Sequence, residues 1–233
     1  LINSIKRKLS NMTDFGKQTA RLLLDIGAVN FRPSQPYILT SGWASPVYID
    51  CRKIISFPKT REKIMEYAVS LIKHTIDLAY IDGIVGGETA GIPYAAWIAQ
   101  LTKKPMQYVR KKPKGFGRNE KIEGHLPEGS KVILIEDLAT DGASKVNFIN
   151  SIRDTNVIVH DIFVIFFYDI FPETLNILND LDVNLHFLTS WHHILEEAKF
   201  RKDFKSSDLK EVEDFLSNPI AWSNKNGGKQ ASL

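Results

Sequence analysis

Residues Val132–Ser144 read VILIEDLATDGAS. Val132, Ile133, Leu134 and Ile135 are four consecutive apolar residues, short and rich in β-branches, which predicts a strand buried on both faces of a parallel sheet. Glu136 and Asp137 then place two acids where that strand would end. Thr140, Asp141, Gly142, Ala143 and Ser144 are small or polar, and the spacing of Val146, Ile149 and Ile152 predicts a helix opening near Ser144. Strand, acidic pair, small-residue loop and helix N-terminus together make a phosphate site, because free backbone N–H groups and the positive end of the helix dipole face the loop.

Neighbouring segments repeat this logic. Ile81–Val85 predicts a strand, Gly86–Gly91 (GGETAG) a small-residue turn and Ile92–Leu101 a helix. The glycines admit two readings: backbone that approaches a ligand, or a tight strand-to-helix turn with no ligand. Met106–Val109 predicts another short strand. Upstream, Asp14–Val29 has helical apolar spacing with Gly27 near its end. Phe31–Asp50 holds Pro33, Pro36 and Pro46 and reads as a hood of short strands around Thr40–Trp43, and Pro58–Asp77 reads as an amphipathic helix. Downstream, Val157–Tyr168 predicts a strand with Phe166, Phe167 and Tyr168 in the core, and Leu185–Leu188 a last strand. Leu195–Leu216 predicts a charged helical stretch with Leu209, Val212, Phe215 and Leu216 as its apolar face. His192 and His193 read as surface or capping residues, not as a metal pair. Strands alternating with helices argue an α/β fold with a mainly parallel, twisted sheet, whose ligands sit beyond the carboxyl ends of the strands. That sets Gly86–Gly91, the stretch after Val109 and Glu136–Ser144 along one rim.

The chain has 233 residues, 43% of them hydrophobic, which suits a single domain over 1–233 with a sizeable core. A net charge of +3 is too mild to imply nucleic acid, and no nucleic-acid or membrane partner is expected. The one cysteine, Cys51, excludes an intrachain disulfide and points to a reducing compartment and a cytoplasmic location. No apolar run approaches the length needed to cross a bilayer. The basic opening LINSIKRKLS lacks the apolar run and cleavage site of a secretory signal. Residues 1–11 are either an extension ahead of a start at Met12 or a short surface helix, and residues 224–233 are polar and expected to fray.

Arg110–Lys121 reads RKKPKGFGRNEK, with six basic residues and one acidic residue among twelve. Two glycines and a proline argue against regular structure. A solvated basic loop is the plain reading. Its place on the rim favours a mobile lid, about 110–124, that carries positive charge to a polyanion.

Four motifs in this order resemble the orotate phosphoribosyltransferase family, of the type I phosphoribosyltransferase class: TSGWASPVYIDCR (Thr40–Arg52), GGETAGIP (Gly86–Pro93), YVRKKPKGFGRNEKIEG (Tyr108–Gly124) and IEDLATDGAS (Ile135–Ser144). The resemblance runs from about Phe15 to Trp222. It implies the type I fold with a small N-terminal hood (about 30–56) and a helical C-terminal addition (about 190–222). It implies transfer of the phosphoribosyl group of 5-phosphoribosyl 1-pyrophosphate to orotate, giving orotidine 5′-monophosphate and pyrophosphate. Donor binding would fall to Glu136, Asp137, Leu138, Ala139, Thr140, Asp141, Gly142, Ala143 and Ser144, with the Thr140–Ser144 loop on the 5′-phosphate and the two acids against the ribose hydroxyls. Arg110, Lys111 and Lys114 would reach pyrophosphate, so that Lys114, Arg110 and Asp137 are the catalytic candidates. Thr140 would contact orotate, and Tyr48 either stacks near the base or simply packs in its strand. Mg²⁺ would be held by pyrophosphate oxygens, ribose hydroxyls and water, with no direct protein ligand expected. In the family the lid crosses to a neighbouring subunit, which implies a homodimer.

The chain departs from the family pattern in places. Phe116 stands where many members have a histidine, Trp43 and Ala44 where a lysine is often found, and Ala90 and Ile170 where the enteric form has cations. Arg52 or backbone N–H groups are the alternatives for the orotate carboxylate. Two rival readings are a type I enzyme for another base and a non-enzymatic regulator that binds the same donor. The hood and the IEG-terminated lid argue against the first. The shortness of the basic start argues against the second.

Overall fold

The computed structural model describes residues 15–39, 42–112, 121–140 and 143–228, with the side chains of 143, 144, 172 and 173 outside the description. In chain order the elements are α1 (15–25), β1 (Val29–Phe31), β2 (Tyr37–Ile38), β3 (Ala44–Ser45), β4 (Val47–Ile49), α2 (Pro58–Thr75), β5 (Gly83–Gly87), α3 (Gly91–Thr102), β6 (Met106–Val109) and β7 (Ile122–Glu123). Then follow β8 (Lys131–Ala139), α4 (Ala143–Arg153), β9 (Ile158–Phe167), α5 (Pro172–Asp180), β10 (Asn184–Ser190), α6 (Trp191–Arg201), α7 (Ser206–Ser217) and α8 (Pro219–Lys225). They form two compact units: residues 55–188, and the two segments 1–54 and 189–233 together. Among the described residues no helix is long and apolar enough to cross a membrane.

The 55–188 unit is built on a six-stranded sheet of order β10-β9-β8-β5-β6-β7. The pairs β5–β6, β5–β8 and β8–β9 are parallel, and β6–β7 is antiparallel. Both faces of the central strands are covered, as the unbroken apolar runs require. Val85, Val109, Val132, Leu134, Ile162 and Val164 join Phe148, Ile149 and Ile152 of α4 in one buried cluster. The alternating residues Ile84, Ile133, Ile135 and Phe163 are equally buried, and α3 lies against β5 and β8. Strand β8 outlasts its apolar run. Its register with β9 continues through Glu136↔Val164, Leu138↔Phe166 and Ala139↔Phe167, so the two acids lie within the strand and not past its end. Strand β5 likewise takes in Gly86 and Gly87, which pair with Tyr108 and Val109.

The other unit begins with α1, which stops as predicted at Gly27 in the left-handed region (φ +63°), so that Val29 starts a strand instead of ending the helix. The hood consists of two antiparallel pairs, β1–β4 and β2–β3. Residues 40 and 41 of its turn lie outside the described residues. The predicted stretch Leu195–Leu216 is divided between α6 and α7, because Lys202 takes a left-handed conformation at the end of α6, and beyond it Pro219 starts a further helix, α8. Leu209, Val212 and Phe215 are buried as predicted. Glu197 is nearly buried and accepts from Arg21 Nε at 3.0 Å and Arg201 Nε at 3.2 Å, and the Arg21 hydrogen bond holds its carboxyl below the usual range. His193 caps α6, with its Nδ1 accepting from Ser190 N at 3.3 Å. Cys51 is fully buried.

Ile162 has no exposed surface and belongs to the cluster under α4. Ile162→Ala is expected to lower the free energy of unfolding by about 2–5 kcal/mol, measured by urea denaturation. A change within error would show that β9 is not part of a shared core.

Candidate functional site

The exit of β8 is held by three successive carbonyls. Leu138 O accepts from Lys145 Nζ at 2.7 Å, Ala139 O from Tyr168 N at 3.0 Å, and Thr140 O from the Thr174 hydroxyl at 2.6 Å. Each bond comes from a different element or its edge, so the chain leaves the sheet in a defined direction. Helix α4 opens three residues after Thr140, at Ala143, with no acid in its first turn. The positive end of that helix is therefore not neutralised by its own side chains. Asp141 and Gly142 lie outside the described residues, and so do the side chains of Ala143 and Ser144.

The acids differ in surroundings. Asp137 is half-buried, whereas Glu136 keeps 6% of its surface exposed. The Glu136 carboxylate pairs with Lys145 Nζ at 2.8 Å, and the two side chains are 8% and 5% exposed. Burial pushes the Glu136 carboxyl above its ordinary range, while the charge and hydrogen bond of Lys145 pull it back. Asp137 adds to the upward push and Lys111 opposes it. The glycines of the preceding turn make room for this pair. A Cβ at Gly87 would overlap Glu136 Oε1, and one at Gly91 would come within 2.8 Å of the same oxygen and overlap Ile135 O. A Cβ at Gly86 would meet Ala95 Cβ at 2.9 Å. The GGETAG turn is thus a packing device for α3 and a buried carboxylate.

Arg110 and Lys111 leave β6 beside this turn. Arg110 N donates to Lys121 O at 2.7 Å, which closes the two ends of the basic loop. Arg110 Nη1 lies 3.6 Å from Glu123 Oε1, and its buried Nε has no partner among the described residues. Lys111 N donates to Glu88 Oε2 at 2.8 Å, Glu88 N donates to Val109 O at 2.9 Å, and the Glu88–Thr89 peptide is cis. Lys114, Phe116 and Arg118 lie outside the described residues. Tyr48 belongs to the other unit, on β4, where its ring lies tilted against that of Tyr37 with centroids 5.4 Å apart and its hydroxyl accepts from Arg52 Nη2 at 3.1 Å. The structure therefore gathers Arg110, Lys111, Glu136, Asp137, Leu138, Ala139 and Thr140 in one unit. Lys145, Glu88 and Glu123 escaped the sequence reading. For Lys145 the available signal was a single lysine in the first turn of the helix that follows the acids. Among the described residues no group of three or more His, Cys, Asp or Glu side chains could hold a metal ion.

Two outcomes follow from the packing of Glu136. Gly91→Ala should cost about 1–3 kcal/mol in urea unfolding, since backbone as well as carboxylate must shift. An unchanged midpoint would show that the turn has slack. Lys145→Met should raise the Glu136 carboxyl further, because burial and Asp137 are then opposed by Lys111 alone. A raised folded-state pKa makes stability greatest below the unfolded value of about 4.3 and lost as pH rises through the folded value. The unfolding free energy of Lys145→Met should thus fall with rising pH more steeply than that of the unchanged chain. Adding Glu136→Gln should remove the extra slope, and a slope that persists would point to another group.

No protein-family model matches the chain. It is 49% identical over 213 residues to the orotate phosphoribosyltransferase of Ruegeria sp. (strain TM1040), covering 91% of this chain and 94% of that protein. Among solved structures, orotate phosphoribosyltransferase from Aeropyrum pernix superposes with a TM-score of 0.68 at 29% identity, over 78% of this chain and 98% of that one. The structure of Leishmania donovani UMP synthase gives a TM-score of 0.75 at 26% identity over 86% of this chain, which spans 42% of that longer protein. The mainly parallel sheet flanked by helices is the type I phosphoribosyltransferase fold these proteins share. With near-half identity over almost the full length of a curated relative, the chain belongs to the orotate phosphoribosyltransferase family.

Proposed function

We propose that the chain transfers the phosphoribosyl group of 5-phosphoribosyl 1-pyrophosphate to orotate, releasing pyrophosphate and forming orotidine 5′-monophosphate in pyrimidine synthesis. The observation that carries this is the β8–α4 connection: a strand exit held at three carbonyls, one half-buried acid and a helix with no acid in its first turn, in a chain of this family. The donor is a polyanion, so the site's work is binding and orientation.

In this reading the Thr140–Ser144 loop, with Leu138 and Ala139 leading into it, binds the 5′-phosphate through backbone N–H groups and hydroxyls. Glu136 and Asp137 form the floor of the ribose subsite. Arg110, Lys111 and Lys114 clamp the pyrophosphate as it leaves. Thr140 and Tyr48 serve orotate, with Arg52, bonded to Tyr48, available to its carboxylate. The pyrophosphate oxygens and ribose hydroxyls of the donor, with water, suit a hard cation, with no direct protein ligand. Mg²⁺ supplies charge neutralisation on the pyrophosphate when bound. The bond between ribose C1 and the pyrophosphate oxygen breaks as the bond to the orotate nitrogen forms, through a cationic, oxocarbenium-like state. Rate comes from positioning, from charge stabilisation of the leaving group and from exclusion of water. The working unit is a homodimer in the cytoplasm, in which the lid of one protomer, with its Arg110, serves the site of its partner.

A steady-state assay with Mg²⁺, orotate and the donor is expected to show orotate consumption, and turnover with a different base in its place would overturn the assignment. Removing one charge-assisted contact to an anion costs about 1.5–3 kcal/mol. Lys114→Ala should therefore turn over about tenfold to a few hundredfold more slowly with its fold intact. Near-normal turnover would sink the lid's role.

A further inference from the structure

The sheet face that carries α4 holds a second concave feature, away from the β8–α4 connection. Gln107 lies on the same side of β6 as Val109, which packs in the cluster under α4. It is 4% exposed, and its Oε1 is buried with no partner among the described residues. Gly124, at φ +98°, closes over it, since a Cβ there would meet Gln107 Cγ at 3.0 Å and Met106 O at 3.1 Å. Gln107 lines a cavity of about 420 Å³ together with Lys121, Ile122, Leu126, Ser151 and Val157, a size within the range of about 300–1,000 Å³ usual for small-molecule pockets. Lys121 Nζ donates to the neutral Ser151 Oγ at 3.1 Å and pairs with no acid among the described residues. Its ammonium has further donors to offer. Asp154 lines the same cavity, so neither charge is in excess and a neutral ligand fits.

A buried acceptor without a donor costs stability, and a fold that keeps one calls for a donor from outside the chain. A half-turn about the terminal bond of the Gln107 amide exchanges its oxygen and nitrogen, so the side chain can present either to the cavity. We propose that this cavity is a second small-molecule site, which takes a flat, neutral cyclic amide or imide of nucleobase size. An N–H of the ligand donates to Gln107 Oε1, the neighbouring carbonyl accepts from Lys121, and the ring packs against Ile122, Leu126 and Val157. Ser151 lies eight residues along α4 from Ala143, roughly 12 Å at about 1.5 Å per residue. The site is therefore distinct from the strand-to-helix loop and does not rest on the transfer reaction proposed above. It shares Lys121 with the base of the basic loop, where the carbonyl of that residue accepts from Arg110 N at 2.7 Å.

The test is calorimetric binding of uracil, and of its N,N′-dimethyl analogue, which keeps the ring and loses both N–H donors. It is run on the unchanged chain, Gln107→Met and Thr155→Trp. Uracil is expected to bind the unchanged chain saturably, and the dimethyl analogue about tenfold more weakly or worse. Gln107→Met keeps the length of the side chain and removes the acceptor, so its uracil Kd should rise about ten- to a hundredfold. Without ligand the same variant should unfold about 2–6 °C higher, because a buried oxygen lacking a donor is gone. Thr155 is an exposed residue of the cavity lining, and a Trp there should weaken uracil binding by obstruction while Gln107 stays in place. That variant carries the comparison if Gln107→Met does not fold. Equal uracil affinity in all the chains would put the base in the catalytic site and overturn the proposal, as would the absence of saturable binding. A lower unfolding midpoint in Gln107→Met would show that a bound water already serves the oxygen, and would overturn it too.

Discussion

A carboxylate inside the central sheet needs a partner, since an isolated buried ion costs several kcal/mol. Much of the architecture near the candidate site meets that requirement for Glu136. Lys145 supplies the counter-charge from α4, and Gly87 and Gly91 give up side chains so that the carboxylate fits under α3. The same demand pins α4 to β8 and α3 to β5. The glycine turn and the approach of α3 and α4 to the central strands thus answer to one electrostatic constraint, with the apolar cluster around Phe148 and Ile149 packed beside it.

The basic loop obeys a different rule. Its ends are joined by Arg110 N and Lys121 O and by the antiparallel β6–β7 pair, so the sheet is closed before the loop begins. Glu88 and Glu123 each meet one of the first residues of that loop, Glu88 through the Lys111 backbone and Glu123 through the Arg110 guanidinium. Both acids thus hold the root of the loop, Arg110 and Lys111.

Fold class was legible because it rests on local signals: unbroken apolar runs at Val132–Ile135 and Ile162–Phe167, helical spacing in Pro58–Thr75, and the glycine stop at Gly27. Strand length was not. The extension of β8 through Glu136 to Ala139 depends on pairing with β9, which no local pattern encodes. The division of the C-terminal stretch was half legible, since Pro219 announces a helix start but Lys202 is not a residue type that announces a left-handed stop. In the site, the acids and the small-residue loop stood out as a motif. Lys145 did not, because a lysine in the first turn of a helix looks like a solvated surface residue until the helix folds back over the strand. The glycine turn was ambiguous for a related reason: sequence shows that side chains are missing but not whether a ligand or a neighbouring carboxylate takes the space.

Cys51 lies in the 1–54 and 189–233 unit without exposed surface, and it is the only thiol in the chain. A thiol must become accessible before an alkylating reagent can reach it. Its rate of alkylation under native conditions therefore reports how often that unit opens, with no engineered label and no competing sulfhydryl to complicate the signal.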